Sequence, residues 1–78
     1  MDWKKHITSD KNILLGKPAI KGTRVSVELI LDLLSTGWDE KMILESYPTL
    51  KQDDIKAVFA YLKECIQNEL YFPLQKSP

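Results

Sequence analysis

A single cysteine, Cys65, stands in this 78-residue chain, which excludes a disulfide framework within one copy. One histidine beside one cysteine is too poor a donor set for a metal, and no zinc-type spacing occurs. No apolar run approaches the ~18 residues that a membrane span needs. Met1-Asp2-Trp3-Lys4-Lys5-His6 has no signal-peptide apolar region behind it, so the expected setting is a reducing cytoplasm, away from any membrane. Neither sign of charge is in excess: eleven basic residues face eleven acidic ones. The whole-chain charge therefore argues for no particular partner. Length is scarce as well. One domain, residues 1–78, buries only roughly 60% of its unfolded surface, so a partner subunit is a natural supplement.

What is present is an ordinary globular composition, 44% hydrophobic and 28% charged. The charge is segregated. Residues 1–25 carry Lys4, Lys5, Lys11, Lys17, Lys21 and Arg24 against two Asp, a net +4. Residues 26–50 carry Lys41 against Glu28, Asp32, Asp39, Glu40 and Glu45, a net −4. A basic arm ahead of an acidic middle suits a nucleic-acid binder or a self-associating protein.

The first 25 residues read as short β segments and turns. Ser9-Asp10-Lys11-Asn12 is a turn cluster in which Asp10 and Asn12 bond to nearby backbone. The apolar run Ile13-Leu14-Leu15 ends at Gly16, and Pro18 holds Lys17 extended. Lys21-Gly22 is a turn, with Gly22 free to take positive φ, and Thr23-Arg24-Val25 resumes an extended path.

The period then changes. Val27, Ile30, Leu31 and Leu34 form one helical face, with Ser26 as N-cap and Gly37 as C-terminal cap. Asp39 caps a short second helix whose inward residues are Met42, Ile43 and Tyr47, ended by Pro48. A third helix starts near Gln52 with the stripe Ile55, Val58, Phe59, Leu62 and Ile66. Ile30, Leu34, Phe59 and Leu62 are expected to pack together. The expected fold is mainly α: a trihelical helix-turn-helix core over 26–68, short β segments over 1–25 and an extended apolar tail over 69–78. Periodicity alone does not separate that core from any small three-helix bundle.

No residue set demands chemistry. Gly16-Lys17 lacks the rest of a phosphate loop, because Pro18 follows the lysine. Pairing Cys65 with His6 as nucleophile and base lacks an orienting third group, and Cys65 reads as filler beside the stripe. Asp53 and Asp54 are adjacent on a helix and point about 100° apart, so they read as a helix start rather than an acid and base. Trp38 reads as a packed turn aromatic. Arg24 is either a phosphate contact or an ion pair to the acidic middle near Glu45, and the ion pair is favoured. The expectation is a non-enzyme without cofactor or metal.

The run Gly16-Lys17-Pro18-Ala19-Ile20-Lys21-Gly22-Thr23-Arg24-Val25-Ser26-Val27 is followed by a Leu-rich helix, Gly37-Trp38, Ile43-Leu44-Glu45 and Tyr47-Pro48-Thr49-Leu50. Over roughly residues 6 to 62 this resembles the small prokaryotic domain-of-unknown-function family numbered four-three-three, a VapB-type antitoxin-like family. The resemblance implies a homeodomain-like helix-turn-helix protein, often encoded beside a PIN-like nuclease toxin. Three positions depart from the family pattern. Lys11 replaces its proline after Asp10, Leu15 replaces the first glycine of its Gly-Gly-Lys-Pro, and Lys51 replaces its Ser or Thr cap.

Together these readings give an antitoxin of a type II toxin–antitoxin module, a homodimer that neutralises a PIN-like ribonuclease by contact and binds operator DNA. The alternatives are a stand-alone helix-turn-helix regulator or a structural dimerisation domain. DNA contacts are expected from Lys17, Lys21 and Arg24 in the arm and Lys51, Gln52 and Lys56 at the third helix. Leu70, Tyr71, Phe72 and Leu74 are expected to cover a dimer or partner surface, because so apolar a tail suits water poorly.

Overall fold

The computed structural model describes residues 1–68. The apolar tail with Leu70, Tyr71, Phe72 and Leu74 lies outside them. A 3-10 turn at Trp3–Lys5 leads into β1 (Ile7–Thr8), which pairs antiparallel with β2 (Ala19–Ile20), Ile7 opposite Ile20. On its other side β2 meets the chain entering the first helix: Ile20 N–H donates to Val25 (2.9 Å), Val27 N–H donates to Pro18 (2.9 Å), and Ala19 bridges Ser26. Three helices follow: α1 (Val27–Ser35), α2 (Glu40–Ser46) and α3 (Gln52–Gln67). The architecture is mainly α with one short two-stranded sheet. No helix among the described residues is long and apolar enough to cross a membrane.

The helix ends follow the local sequence. Ser26 Oγ accepts from Leu29 N–H, and an Asp39 carboxylate oxygen accepts from Met42 N–H, each closing a first turn. At the end of α1, Gly37 takes φ 104° while Trp38 N–H reaches Leu33 and Gly37 N–H reaches Leu34. Those two bonds are a Schellman cap, and the positive φ is what requires glycine there. Lys51 offers no side-chain cap to α3, yet Asp54 returns a carboxylate oxygen to Lys51 N–H at 2.9 Å, one half of a capping box.

Each layer contributes one large, fully buried side chain: Ile20 from β2, Ile30 from α1, Ile43 from α2 and Val58 from α3. Around them lie Ile7, Val25, Val27, Leu50, Ile55 and Ala57, with Leu34, Trp38, Tyr47 and Leu62 packed at the edge. The stripe expected on α3 is corrected at two positions, since Phe59 is 52% and Ile66 59% exposed. Met42, expected inward on α2, is 43% exposed. The reason on α3 is a second, half-buried row. Asp54, Ala57, Tyr61 and Glu64 share one flank at helical spacing, and the N-terminal arm covers it through Trp3 and His6. These two covered rows, the half-buried one under the arm and the core row through Ile55, Val58 and Leu62, turn the inward arc away from Phe59.

A separate feature is the segment Ile13-Leu14-Leu15. The apolar run expected to end at Gly16 makes a tight left-handed turn, with Leu14 at φ 52°, Leu15 at φ 58° and Gly16 at φ 84°. It is held by Ser9 Oγ donating to the Gly16 carbonyl, while Asp10 accepts Asn12 N–H at 2.8 Å. Side chains resist this region at roughly 1–2 kcal/mol per residue, and Leu15 is 92% exposed, so packing returns nothing there. Leu15→Gly is expected to stabilise the fold by about 0.5–1 kcal/mol after the entropy of glycine is subtracted, read as a rise of a few degrees in a thermal melt. In the same assay Ile43→Ala is expected to cost about 3 kcal/mol and Phe59→Ala only about 1, an order that core membership of Phe59 would reverse.

Candidate functional site

The arm is fastened to α3 at two polar points and one aromatic contact. His6 Nδ1 lies 3.0 Å from an Asp54 carboxylate oxygen; the ionised carboxylate only accepts, so the imidazole carries its proton on Nδ1. Further along, Trp3 Nε1–H donates to Glu64 at 2.9 Å, and the Trp3 ring meets Tyr61 edge-on at 4.9 Å. Asp54 thus serves two partners, His6 through one oxygen and Lys51 N–H through the other. Burial first, then the neighbouring Cys65 thiol, push the Tyr61 phenol above its ordinary 10.0.

This docking builds a cleft of about 390 Å³ at the start of α3, lined by Lys5, His6, Lys21, Thr49, Lys51, Asp53 and Asp54. Lys5 arrives with the arm. Lys21 is held beside it because its N–H donates to the His6 carbonyl at 2.8 Å. Lys51 is the residue that opens α3. Three lysines from three separate segments therefore line the cleft together with two aspartates, one of them already engaged twice, at the positive end of a helix dipole. Chemically this can hold an anion such as a phosphate diester.

The six residues expected to touch DNA are thereby divided. Lys21 and Lys51 share the cleft, joined by Lys5, which sequence reasoning had not put forward. Lys17 sits 3.7 Å from Glu28, an exposed pair of small energetic worth. Arg24 is exposed and has no carboxylate within 4.0 Å among the described residues, which corrects the favoured ion pair with Glu45. Gln52 faces away, into a cleft of about 520 Å³ with Glu40, Lys41, Leu44 and Glu45. Lys56 is on the open face of α3. His6 turns to Asp54, while Cys65 lies eleven residues further along α3, roughly 16 Å by helical rise, so the two do not pair. No group of three or more His, Cys, Asp or Glu among the described residues is placed to hold a metal.

Fold and cleft together define a small three-helix domain whose strand pair and arm clip onto its last helix, with a lysine-lined cleft where they meet. Residues 7–62 match the family described as "Protein of unknown function (DUF433)", and the chain belongs to that family. It is similar to the crystal structure of a DUF433 member protein from Anabaena variabilis ATCC 29413, with a TM-score of 0.72 and 24% sequence identity. The match covers 80% of this chain and 61% of that one, so the shared region is under two thirds of the relative's length. At this identity the likeness shows the fold alone. No curated protein matches the chain.

Two expectations test the docking. His6→Ala and Trp3→Phe each remove one hydrogen bond and are expected to cost about 1 kcal/mol, and Asp54→Ala about 2 because a helix cap goes with it. Denaturant unfolding of the three variants checks that order. For Tyr61 the folded state holds the phenolic proton more tightly than the unfolded state. Its contribution to stability is therefore full below pH 10.0 and lost as pH rises through the folded value. Subtracting the alkaline absorbance titration of Tyr61→Phe from that of the parent is expected to isolate a phenol ionising above 10.0.

Proposed function

We propose that this protein is a non-enzymatic antitoxin-type binding protein, a cytoplasmic dimer that neutralises a PIN-like ribonuclease by contact and binds operator DNA. The observation that carries the reading is the convergence of Lys5, Lys21 and Lys51 on the exposed start of α3, the helix that follows the turn. Phosphate contacts made there would position α3 on a duplex, and the arm would add charge beside it. Asp53 is the unfavourable element, an exposed carboxylate at the same helix end. It limits direct base reading and leaves affinity to the phosphates. The toxin partner rests on the family resemblance rather than on the geometry. A stand-alone DNA-binding regulator is the second reading, supported by the same lysines without a toxin.

Mobility shifts on the DNA upstream of its own coding region, at low salt and about 10 μM protein, test the DNA arm within the usual range of non-specific affinity. Retardation is expected and should weaken steeply with salt. Lys21→Ala with Lys51→Ala should lower the salt slope by about two, whereas Lys17→Ala, whose lysine already faces Glu28, should change it less. Co-expression with the neighbouring gene's product, followed by pull-down, separates antitoxin from stand-alone regulator. No shift and no captured partner would remove both readings.

A further inference from the structure

Two pairs of α3 residues are unused by the cleft and the core. Phe59 and Ile66, seven residues apart and so nearly on one line of the helix, are more than half exposed. Lys56 and Lys63, also seven apart, flank them on the same face and are exposed. The remaining carboxylate of this half of α3, Glu64, is turned to the other flank by Trp3 Nε1. The open face is therefore apolar along one edge and purely basic along the other. Gln52 begins that face four residues before Lys56 and also lines the cleft of about 520 Å³ whose other walls are Glu40, Lys41, Leu44 and Glu45 of α2. The acidic α2 rim, two carboxylates against one lysine, is thus continuous with the basic, apolar face of α3.

A surface with an acidic rim on α2 and a basic, apolar face on α3 beside it is complementary to itself turned by 180°. We propose that the α2–α3 face is the contact surface for a second copy of this chain, α3 of each copy lying against α2 of the other. This rests on the dimer in the reading above and supplies the surface that the dimer uses. In such an isologous contact every interaction occurs twice and the assembly closes at two copies. Lys56 and Lys63 meet Glu40 and Glu45 of the second copy, and Phe59 and Ile66 lose their exposure against the partner's Leu44 edge. The face from Gln52 to Ile66 spans about 21 Å of helix.

Charge reversal on the full chain tests this without reference to DNA or toxin. Sedimentation equilibrium across the micromolar range is run on the parent, on Lys56→Glu with Lys63→Glu, and on Glu40→Lys with Glu45→Lys. Each double variant alone sets like charges against each other twice, and its dimer dissociation constant is expected to rise at least about tenfold. An equimolar mixture of the two restores both complementary contacts, and a heterodimer is expected; its formation also shows that both variants are folded. A parent that stays monomeric, variants that dimerise as the parent does, or a mixture that stays monomeric would each overturn the proposal. So would a chain lacking 69–78 that is monomeric while both charge-reversed variants still dimerise, which would move the contact to the tail. A dimer that behaves as expected but shifts no DNA and captures no toxin leaves this proposal standing and removes the functional reading alone.

Discussion

The arm lying along α3 is the contact on which the remaining geometry depends. Trp3 and His6 reach residues 61 and 48 positions away, and their hydrogen bonds to Glu64 and Asp54 set where along the helix the arm rests. From that anchorage the chain is ordered link by link. His6 precedes β1, β1 pairs with β2, β2 bridges to Ser26, and Ser26 caps α1. Backbone hydrogen bonds between strands of two residues are too few to hold a sheet alone, so the apolar burial of Ile7 and Ile20 and the fastening to α3 supply the stability.

The same contact divides the surface of α3 by use. Its flank of Asp54, Ala57, Tyr61 and Glu64 belongs to the arm, and its row of Ile55, Val58 and Leu62 to the core. Its third side, with Lys56, Phe59, Lys63 and Ile66, is open. The helix start gains lysines from elsewhere in the chain because Lys21 is hydrogen-bonded to the residue beside Lys5. A chain of zero net charge can thereby present a local basic cleft and, separately, an acidic α2 rim beside the basic edge of α3. Charge that averages to nothing along the sequence is sorted by the fold into places where it acts over a few ångströms, well inside the screening length of about 8 Å at physiological salt.

Much of the local structure was legible because its causes are local. Ser26, Asp39 and Gly37 announce helix ends through bonds that span at most five residues, and the turn at Gly22 follows from a φ of 77° that suits glycine. Leu15 was visible only as a departure from a family pattern; that it sits in left-handed backbone with its side chain in water emerged from the turn closed by Ser9 and Asp10. Lys51 was legible as a poor cap, and Asp54 as its neighbour in the first turn, but not the carboxylate's second bond to His6.

By itself the amino-acid sequence determined the order of elements, the positions where helices start and stop, the inward placement of Ile30, Ile43, Ile55 and Val58, and the family. Each follows from periodicity, capping chemistry or motif, which are properties of neighbours along the chain. Only the tertiary structure decided that Phe59 and Ile66 face outward, that His6 meets Asp54 rather than Cys65, that Arg24 stands without Glu45, and that Lys5, Lys21 and Lys51 share one cleft. A helical stripe tells how wide an apolar face is but not which other segment will cover its flank. Here the covering segment lies some fifty to sixty residues earlier in the chain, and its two polar anchors turn α3 until one edge of its own stripe is left in water.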